Sequence, residues 1–288
     1  MSADLRPALT ADFSRLARRL AASAQRTRTG ADAEAIHDLR VATRRATAWL
    51  WLWAPALRPR RARRLRRALR MLRRAMASAR EAQVHEQLLR RRFEDPGVAA
   101  IEGMNELLAG FAGQARRLER RAARTMVRPR TRRLLRALEG EPPLTRRVID
   151  EAAMLAWARA RSAGLEAVVR GALERAQEPD PEVAHRARIA VKICRYTRER
   201  LAAALELEPR AQLSELTETQ ERLGKLHDLA TFAAALARDR DRAMAVGAMA
   251  RARAASTLLA GVEREAREAR EGMGTLEIPP LAELEGSA

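Results

Sequence analysis

Apolar residues recur with helical spacing along nearly the whole chain, and no stretch shows the sustained alternation of apolar and polar residues that a half-buried strand would need. Ala and Leu dominate the apolar residues, and aromatic residues make up only 3% of the sequence. Because this composition favours helix and disfavours sheet, we predict an all-α fold. Pro and Gly divide the pattern into helices over about 10–24, 33–54, 60–92, 97–125, 130–139, 149–176, 181–205, 209–239 and 241–271.

Two of the predicted helices carry nearly the same pattern of basic residues. The stretch AIHDLRVATRR occupies 35–45, and AHRARIAVKICRY occupies 184–196. A shift of 148 residues superposes His37 on His185, Arg40 on Arg188, Val41 on Ile189 and Arg44 on Lys192. The segment at 77–84 also matches 223–231, with an offset of one residue. These matches indicate an internal duplication of a four-helix unit, with chance similarity in an Ala- and Arg-rich chain as the alternative.

The duplication predicts two four-helix bundles within a single domain that spans residues 1–288. The first bundle covers 1–138, and the second covers 149–272. A linker at 139–148, marked by the sequence EGEPPLTR, separates the two bundles. The remaining residues, 273–288, contain two prolines and two glycines and are predicted to form a loose tail.

Positive charge is distributed unevenly along the sequence. The net charge is +19, and residues 1–148 hold 35 basic and 14 acidic side chains. No acidic residue lies between Asp38 and Glu81, whereas this interval contains 14 arginines. Such a field attracts polyanions, so nucleic acid, an anionic membrane surface and inorganic polyphosphate are the candidate ligands. Arg binds phosphate oxygens through a planar fork, although a GC-rich genome would also favour Arg over Lys.

Cysteine usage and the apolar runs predict a cytoplasmic protein without membrane insertion. Cys194 is the only cysteine, so no intrachain disulfide can form. The N-terminal sequence lacks an apolar signal core. The most apolar run, AWLWLWAPAL at 48–57, is too short to span a bilayer.

On a helical wheel, the basic and apolar residues of the two repeated helices lie on opposite faces. Like charges one turn apart repel one another, and no acid is interleaved on the basic faces to relieve them. An ordinary solvated surface is one explanation of such faces. However, Val41, Trp51 and Ile189 lie on or beside them, which indicates that the faces are partly covered. We therefore predict that both faces line one shared groove, formed by His37, Arg40, Arg44, Arg45, His185, Arg188, Lys192, Arg195 and Tyr196.

Two arginine-rich segments add to the positive charge of the first half. The run at 58–74 carries ten arginines in seventeen residues, and a second dense region covers 116–133. Self-repulsion within these segments would be relieved by a bound polyanion, which also releases condensed counterions. Helical spacing in the first run predicts a supporting basic surface formed by Arg60, Arg63, Arg64, Arg67, Arg70 and Arg74.

The order, spacing and duplication of these motifs resemble the paired signatures of the CHAD domain, the conserved histidine α-helical domain. The segment LGKLHDLA at 223–230 is similar to the family's later Leu-Gly-x-x-x-Asp segment. The resemblance implies two four-helix bundles related by a pseudo-twofold axis, with a basic central channel that binds inorganic polyphosphate. The chain departs from the family pattern at Thr47, Ala190 and Ile193, where a basic residue is frequent. It departs again at 80–83, where an Arg-Asp-x-Asp segment reads Arg-Glu-Ala-Gln.

We accordingly predict non-catalytic binding of inorganic polyphosphate in the groove, with a role in targeting to or organising polyphosphate granules in the cytoplasm. No catalytic residue, metal site or cofactor is predicted. Sequence-independent binding to the RNA or DNA backbone is the first alternative, and weak non-specific binding to nucleic acid is expected in either case. Aromatic residues are too scarce for a surface on which single-stranded bases could stack.

A metal-dependent phosphohydrolase of the all-helical HD type is the second alternative. His185, the pair His227-Asp228, and Asp239 or Asp241 occur in the order that such enzymes use. A metal site among so many cations would need more carboxylates than the sequence offers, so we predict no enzymatic activity. Asp38 and Asp228 are instead expected to pair with arginines or to cap local structure. His85 matches none of these motifs and is expected at the surface.

Overall fold

The computed structural model describes residues 5–30, 34–146, 150–176, 181–205 and 210–272. Within these ranges the chain forms α-helices, one 3₁₀ turn at Ala54–Ala56 and no β-strand, which confirms the all-α prediction. None of the described helices is both long and apolar enough to cross a membrane. The helices are α1 (Leu5–Thr29), α2 (Ala35–Leu52), α3 (Pro59–Ala75), α4 (Ala77–Phe93), α5 (Pro96–Ala99), α6 (Met104–Met126), α7 (Pro129–Glu139), α8 (Glu151–Arg175), α9 (Pro181–Leu205), α10 (Arg210–Ala245) and α11 (Met249–Glu271).

Several helix boundaries differ from the sequence prediction: α1 extends beyond the predicted 10–24 at both ends, and the helix predicted over 97–125 is divided into α5 and α6. The predicted helix over 60–92 is broken at Met76, whose side chain is fully buried, so α3 and α4 are separate helices. The break contains neither Pro nor Gly, and the pattern therefore gave no signal for it. In contrast, α10 continues to Ala245 and turns at Gly247, whose φ of 73° lies in the left-handed region that glycine adopts readily.

Three apolar clusters form the core. The largest surrounds Trp49 of α2 and Trp53, which follows that helix. It also draws on α1, α3 and α7 together with the ends of α6, α8 and α9. A second cluster joins α4 and α6 to α10 and α11 around Phe111 and Phe232. A third joins α8 and α9 to the first part of α10. Since the second cluster combines helices from both halves of the sequence, the apolar core does not divide at the linker, and the two-bundle duplication stays a prediction.

The described part of the predicted linker packs against the junction of α2 and α3. Leu57 and Leu144 form an isolated antiparallel bridge, and Leu144 is buried. The backbone amide of Arg58 donates to the carbonyl of Pro143 at 2.8 Å, and the amide of Thr145 donates to Ala56 at the same distance. Residues 147 and 148 of the predicted linker and the predicted tail, 273–288, lie outside the described residues.

Four helices enclose the site described below. α2 contacts α4, α4 contacts α10, α10 contacts α9, and α9 contacts α2, so that the four form a closed ring. The ring brings the two repeated helices side by side, although they are far apart in the sequence. An ion pair of 2.9 Å between Arg45 Nε of α2 and Glu199 Oε2 of α9 joins them directly.

Candidate functional site

The four-helix ring surrounds a cavity of about 800 Å³. Seven Arg and Lys side chains line it, against two acidic ones, and four histidines share the wall. The end of α3 and Leu165 of α8 complete the lining. The polar side chains of the wall are His37, Arg40, Arg44, Thr47, Arg73, Arg74, Arg80, Glu81, His85, His185, Arg188, Lys192, Tyr196, His227, Asp228 and Thr231.

Amphipathic helix geometry positions the two repeated motifs on this cavity. In α2, Leu39, Trp49 and Leu50 are buried in the core, so the face that carries Arg40 and Arg44 must turn the other way. In α9, the buried residues Ala187, Val191 and Cys194 orient the helix in the same manner. Arg188 and Lys192 therefore reach the cavity from the wall beside α2.

The histidines of the cavity are held in their neutral form by burial. Nδ1 of His185 lies 3.2 Å from Nδ1 of His227, and the two ring centroids are 4.7 Å apart. Burial, with Arg188 and His185 nearby, lowers the pKa of His227 to about 3. Burial is also the main cause that lowers the pKa of His37 and of His185. Neutral rings can donate a hydrogen bond to an anion and can gain a proton when the anion arrives.

His85 is buried in this wall, and its predicted surface position is wrong. Its side chain is 5% exposed, and Nε2 lies 3.2 Å from Thr231 Oγ1. The ring packs against Phe111 and Phe232, and burial lowers its pKa to about 4. The helical spacing of the buried residues Ala82, His85 and Leu89 marks the apolar face of α4, a signal that was present in the sequence.

The cations of the cavity are crowded and largely without counterions. Burial, together with repulsion from Arg188 and Arg44, lowers the pKa of the Lys192 amine to about 6, so this group is largely uncharged at neutral pH. Burial and the neighbouring arginines also lower the pKa of Arg40 to about 10. Among the described residues, no hydrogen-bond partner reaches the buried atoms Arg40 Nη1, Arg80 Nη1 and Arg188 Nε. A buried donor without a partner costs about 1–3 kcal/mol, so an anion with several oxygens would stabilise this arrangement.

One carboxylate offsets part of the positive charge, as the sequence predicted. Asp228 Oδ1 lies 3.6 Å from Arg188 Nη2. Burial raises the pKa of Asp228, against the opposing effect of Arg188 and Lys192. The other predicted pair also forms, since Asp38 Oδ2 lies 2.7 Å from Arg26 Nη1. Both aspartates therefore pair with arginines.

Arg45 and Arg195, which the sequence assigned to the groove, do not line the cavity. Arg195 Nη1 lies 2.6 Å from Glu199 Oε1, and Arg45 pairs with the other oxygen of the same carboxylate. Both guanidinium groups also lie over the ring of Tyr196, at 4.6 Å for Arg195 and 5.9 Å for Arg45. These contacts fix Tyr196 in the wall and hold α2 against α9.

Only one residue of the predicted supporting surface on α3 lines the cavity. Arg74 lines the cavity, whereas the other five predicted residues are exposed on the face opposite Leu65, Leu69 and Leu72. Sequence reasoning missed Arg73 and Arg80, which do line it. Arg80 lies in the segment 77–84 that matches 223–231, so the repeat itself contained its signal.

The residues of the HD-type alternative do not come together in one site. His227 and Asp228 lie in the cavity, but both carboxylate oxygens of Asp239 pair with Arg251 outside it, at 2.7 and 2.8 Å. Within the described ranges, no group of three or more His, Cys, Asp or Glu side chains has the arrangement of a metal site.

Comparison with known proteins places this arrangement in a family. The sequence model of the CHAD domain matches residues 11–237. The chain belongs to the CHAD domain family. No protein with a curated description matches the chain. The two repeated motifs of this CHAD domain both lie within the matched region.

Two solved structures share the fold of this CHAD domain. The crystal structure of the CHAD domain from the plant Ricinus communis is similar with a TM-score of 0.65 and 24% sequence identity, over 96% of this chain and 94% of that one. PptA from Streptomyces chartreusis is similar with a TM-score of 0.65 and 21% identity, over 92% of this chain and 97% of that one.

Two of the departures from the family pattern, Thr47 and Ile193, lie on the wall of the cavity, whereas Ala190 is not part of its lining. Thr47 lines it, and its hydroxyl donates to the carbonyl of Thr43 at 2.7 Å, so it adds no charge. Ile193 also lines the cavity and is 43% exposed. Thr47 and Ile193 therefore add no positive charge to the wall of this cavity.

Proposed function

We propose that this CHAD domain binds inorganic polyphosphate in the cavity between α2, α4, α9 and α10, without catalysing a reaction on it. The observation that carries the proposal is the excess of cations over acids in the lining, together with buried nitrogens of Arg40, Arg80 and Arg188 to which no described residue forms a hydrogen bond. Guanidinium groups bind phosphate oxygens through two parallel hydrogen bonds. A chain of phosphates supplies such oxygens on every side.

The size of the cavity favours a thin polyanion over a nucleic acid duplex. A volume of about 800 Å³ lies within the range of small-ligand pockets, about 300–1,000 Å³. Polyphosphate has no bases that the wall must accommodate, and it has one negative charge or more on each phosphate. The cations of α2 and α9 on neighbouring walls would contact such a chain along its length.

The same chemistry supports a role on polyphosphate granules. A domain that holds polyphosphate without cleaving it can attach itself to the polymer or connect neighbouring chains. We propose targeting to or organisation of cytoplasmic granules on this basis. The unpaired arginines on α3, including Arg63 and Arg67, are exposed and would add long-range attraction to a dense polyanion.

Competition between ligands separates polyphosphate binding from general binding to nucleic acid. At physiological salt, polyphosphate should displace bound RNA or DNA at matched phosphate concentration, because its denser charge fits the narrow cavity. Fluorescence anisotropy of a labelled polyphosphate, with unlabelled RNA and DNA as competitors, measures this preference. Equal or tighter binding of RNA would instead support the backbone-binding alternative.

The pKa of Lys192 predicts that binding takes up protons. In the free protein this pKa is about 6, so the amine is largely neutral at pH 7.5. Bound phosphates favour the charged amine and raise its pKa, so the complex should hold up to about one more proton at this group. The affinity for polyphosphate should therefore fall as the pH rises from the pKa of Lys192 in the free protein towards its higher pKa in the complex.

Calorimetry in two buffers of different ionisation enthalpy measures the proton uptake. The Lys192→Met variant is the control, and it should lose the part of the uptake that this amine supplies. An equal net proton exchange in the wild-type and Lys192→Met proteins at pH 7.5 would contradict a site in which the ligand contacts Lys192.

A further inference from the structure

A second basic pocket lies between α3, α4, α6 and α7, and neither the repeated motifs nor the cavity accounts for it. Its volume is about 340 Å³. Of the residues that the structure describes, four arginines and three hydroxyl side chains line it, and no acidic residue does. The polar residues of its wall are Arg74, Ser78, Arg121, Thr125, Arg128, Arg130 and Thr131. Most of these belong to the two arginine-rich segments at 58–74 and 116–133.

The N-terminus of α7 opens onto this pocket. Arg128 is the N-cap of the helix, Pro129 follows it, and no side chain caps the helix. The amides of Arg130 and Thr131 in the first turn have no backbone partner in the described chain. Amides of a first helical turn and the helix dipole together favour a bound anion. Arg128, Arg130 and Thr131 all belong to the pocket wall.

The hydroxyl of Thr131 is an independent indication that this pocket binds a ligand. The residue is 1% exposed, and its Oγ1 has no hydrogen-bond partner among the described residues. A buried hydroxyl without a partner is unfavourable. A threonine in this wall costs stability unless a group with acceptor or donor atoms enters the pocket.

The surrounding charges identify the chemical class of that group. The side chains of Arg74, Arg121, Arg128 and Arg130 form no ion pair with any described residue. Four unpaired guanidinium groups, two free amides and a hydroxyl are all donors, which excludes a cation and favours a multivalent oxyanion. Phosphate oxygens match this set better than a carboxylate, since they offer more acceptors in three dimensions.

We propose that this pocket is a second phosphate-binding site of the protein, centred on the N-terminus of α7. Arg74 lines both this pocket and the cavity of the four-helix ring. Two sources of phosphate fit: a short phosphate anion that binds here alone, or a later segment of a long polyphosphate chain held in the cavity. The corner between α3 and α4, with Ala77 on one side and Ser78 on the other, separates the two sites.

Tripolyphosphate titrated by calorimetry tests the second site. The wild-type protein should bind two equivalents, and the Arg121→Ala/Arg128→Ala variant should bind one, with the second weakened about tenfold or more. Arg63→Ala/Arg67→Ala removes the same charge from the exposed face of α3 and should leave both equivalents. The proposal would be overturned if the Arg121→Ala/Arg128→Ala variant still bound two equivalents with wild-type affinity. It would also be overturned if the Arg63→Ala/Arg67→Ala variant lost as much binding.

The Thr131→Val variant tests the same site without changing charge. It should weaken the second equivalent, while the unfolding temperature stays equal or rises because an unpartnered hydroxyl has been removed. Unchanged binding of both equivalents would show that the hydroxyl contacts no ligand and would count against the site.

Long polyphosphate distinguishes the two sources. If one chain spans both sites, the Arg121→Ala/Arg128→Ala variant weakens its binding as well, whereas a separate anion site leaves it unchanged. The Arg40→Ala/Arg188→Ala variant separates this proposal from the function proposed above. If the Arg40→Ala/Arg188→Ala variant loses only the first equivalent, both sites are supported. If only the Arg121→Ala/Arg128→Ala and Thr131→Val variants lose binding, the second site is supported and the function proposed for the cavity is contradicted.

Discussion

Replacement of Arg40 and Arg188 together by alanine should weaken the binding of a short polyphosphate roughly 100- to 10,000-fold, because two charge-assisted contacts of about 1.5–3 kcal/mol each are lost. Both side chains line the cavity, and both have a buried nitrogen that lacks a partner among the described residues. The fold should persist, since neither side chain belongs to an apolar cluster. Isothermal titration calorimetry together with thermal unfolding measures both effects.

The matched control removes two arginines of equal charge from a place that faces away from the cavity. Arg63 and Arg67 are exposed on α3 and do not line it. Their replacement by alanine should cost far less affinity, because only long-range attraction is lost and salt screens it. Equal losses in the two double variants would mean that binding is diffuse electrostatic attraction without a specific site.

Glu166→Gln should lower the free energy of unfolding by about 3–5 kcal/mol, because it removes the carboxylate from a buried ion pair and leaves the buried charge of Arg198 less well compensated. Glu166 Oε1 lies 2.7 Å from Arg198 Nη2, and the side chains are 9% and 1% exposed. This pair joins α8 to α9 and so holds the helix that carries the second motif. Urea unfolding followed by circular dichroism measures the loss.

An exposed ion pair provides the comparison for this effect. Glu102 and Arg253 are 2.7 Å apart, and their side chains are 74% and 62% exposed. Glu102→Gln should change the free energy of unfolding by less than about 1 kcal/mol, because solvent screens the pair. Similar losses in the two variants would contradict the view that burial makes the Glu166–Arg198 pair important.

The helical class and the faces of α2 and α9 could be predicted because each depends on local spacing. Trp49 and Trp53 lie in the core, and Arg40 and Arg188 lie on one cavity. The match between 35–45 and 184–196 was also informative, because it showed that the polar faces of α2 and α9 carry the same pattern. These features follow from the periodicity of a helix and need no knowledge of its neighbours.

The remaining details depend on helices that meet only in the folded chain. Arg45 carries the same charge as Arg44 and adjoins it in the sequence, but its partner, Glu199, is supplied by α9. The break at Met76 redirects α4 and brings Arg80 into the cavity. Periodicity assigns a residue to a face, but tertiary packing decides whether that face meets solvent, an ion pair or an enclosed cavity.

The structure of the protein in complex with a short polyphosphate of defined length tests the central claim most directly. We expect phosphates in the cavity, with oxygens about 2.7–3.2 Å from Arg40 Nη1 and Arg188 Nε. Lys192 should contact the same chain. An empty cavity, with polyphosphate held only by exposed arginines such as Arg63 and Arg67, would contradict the proposed site.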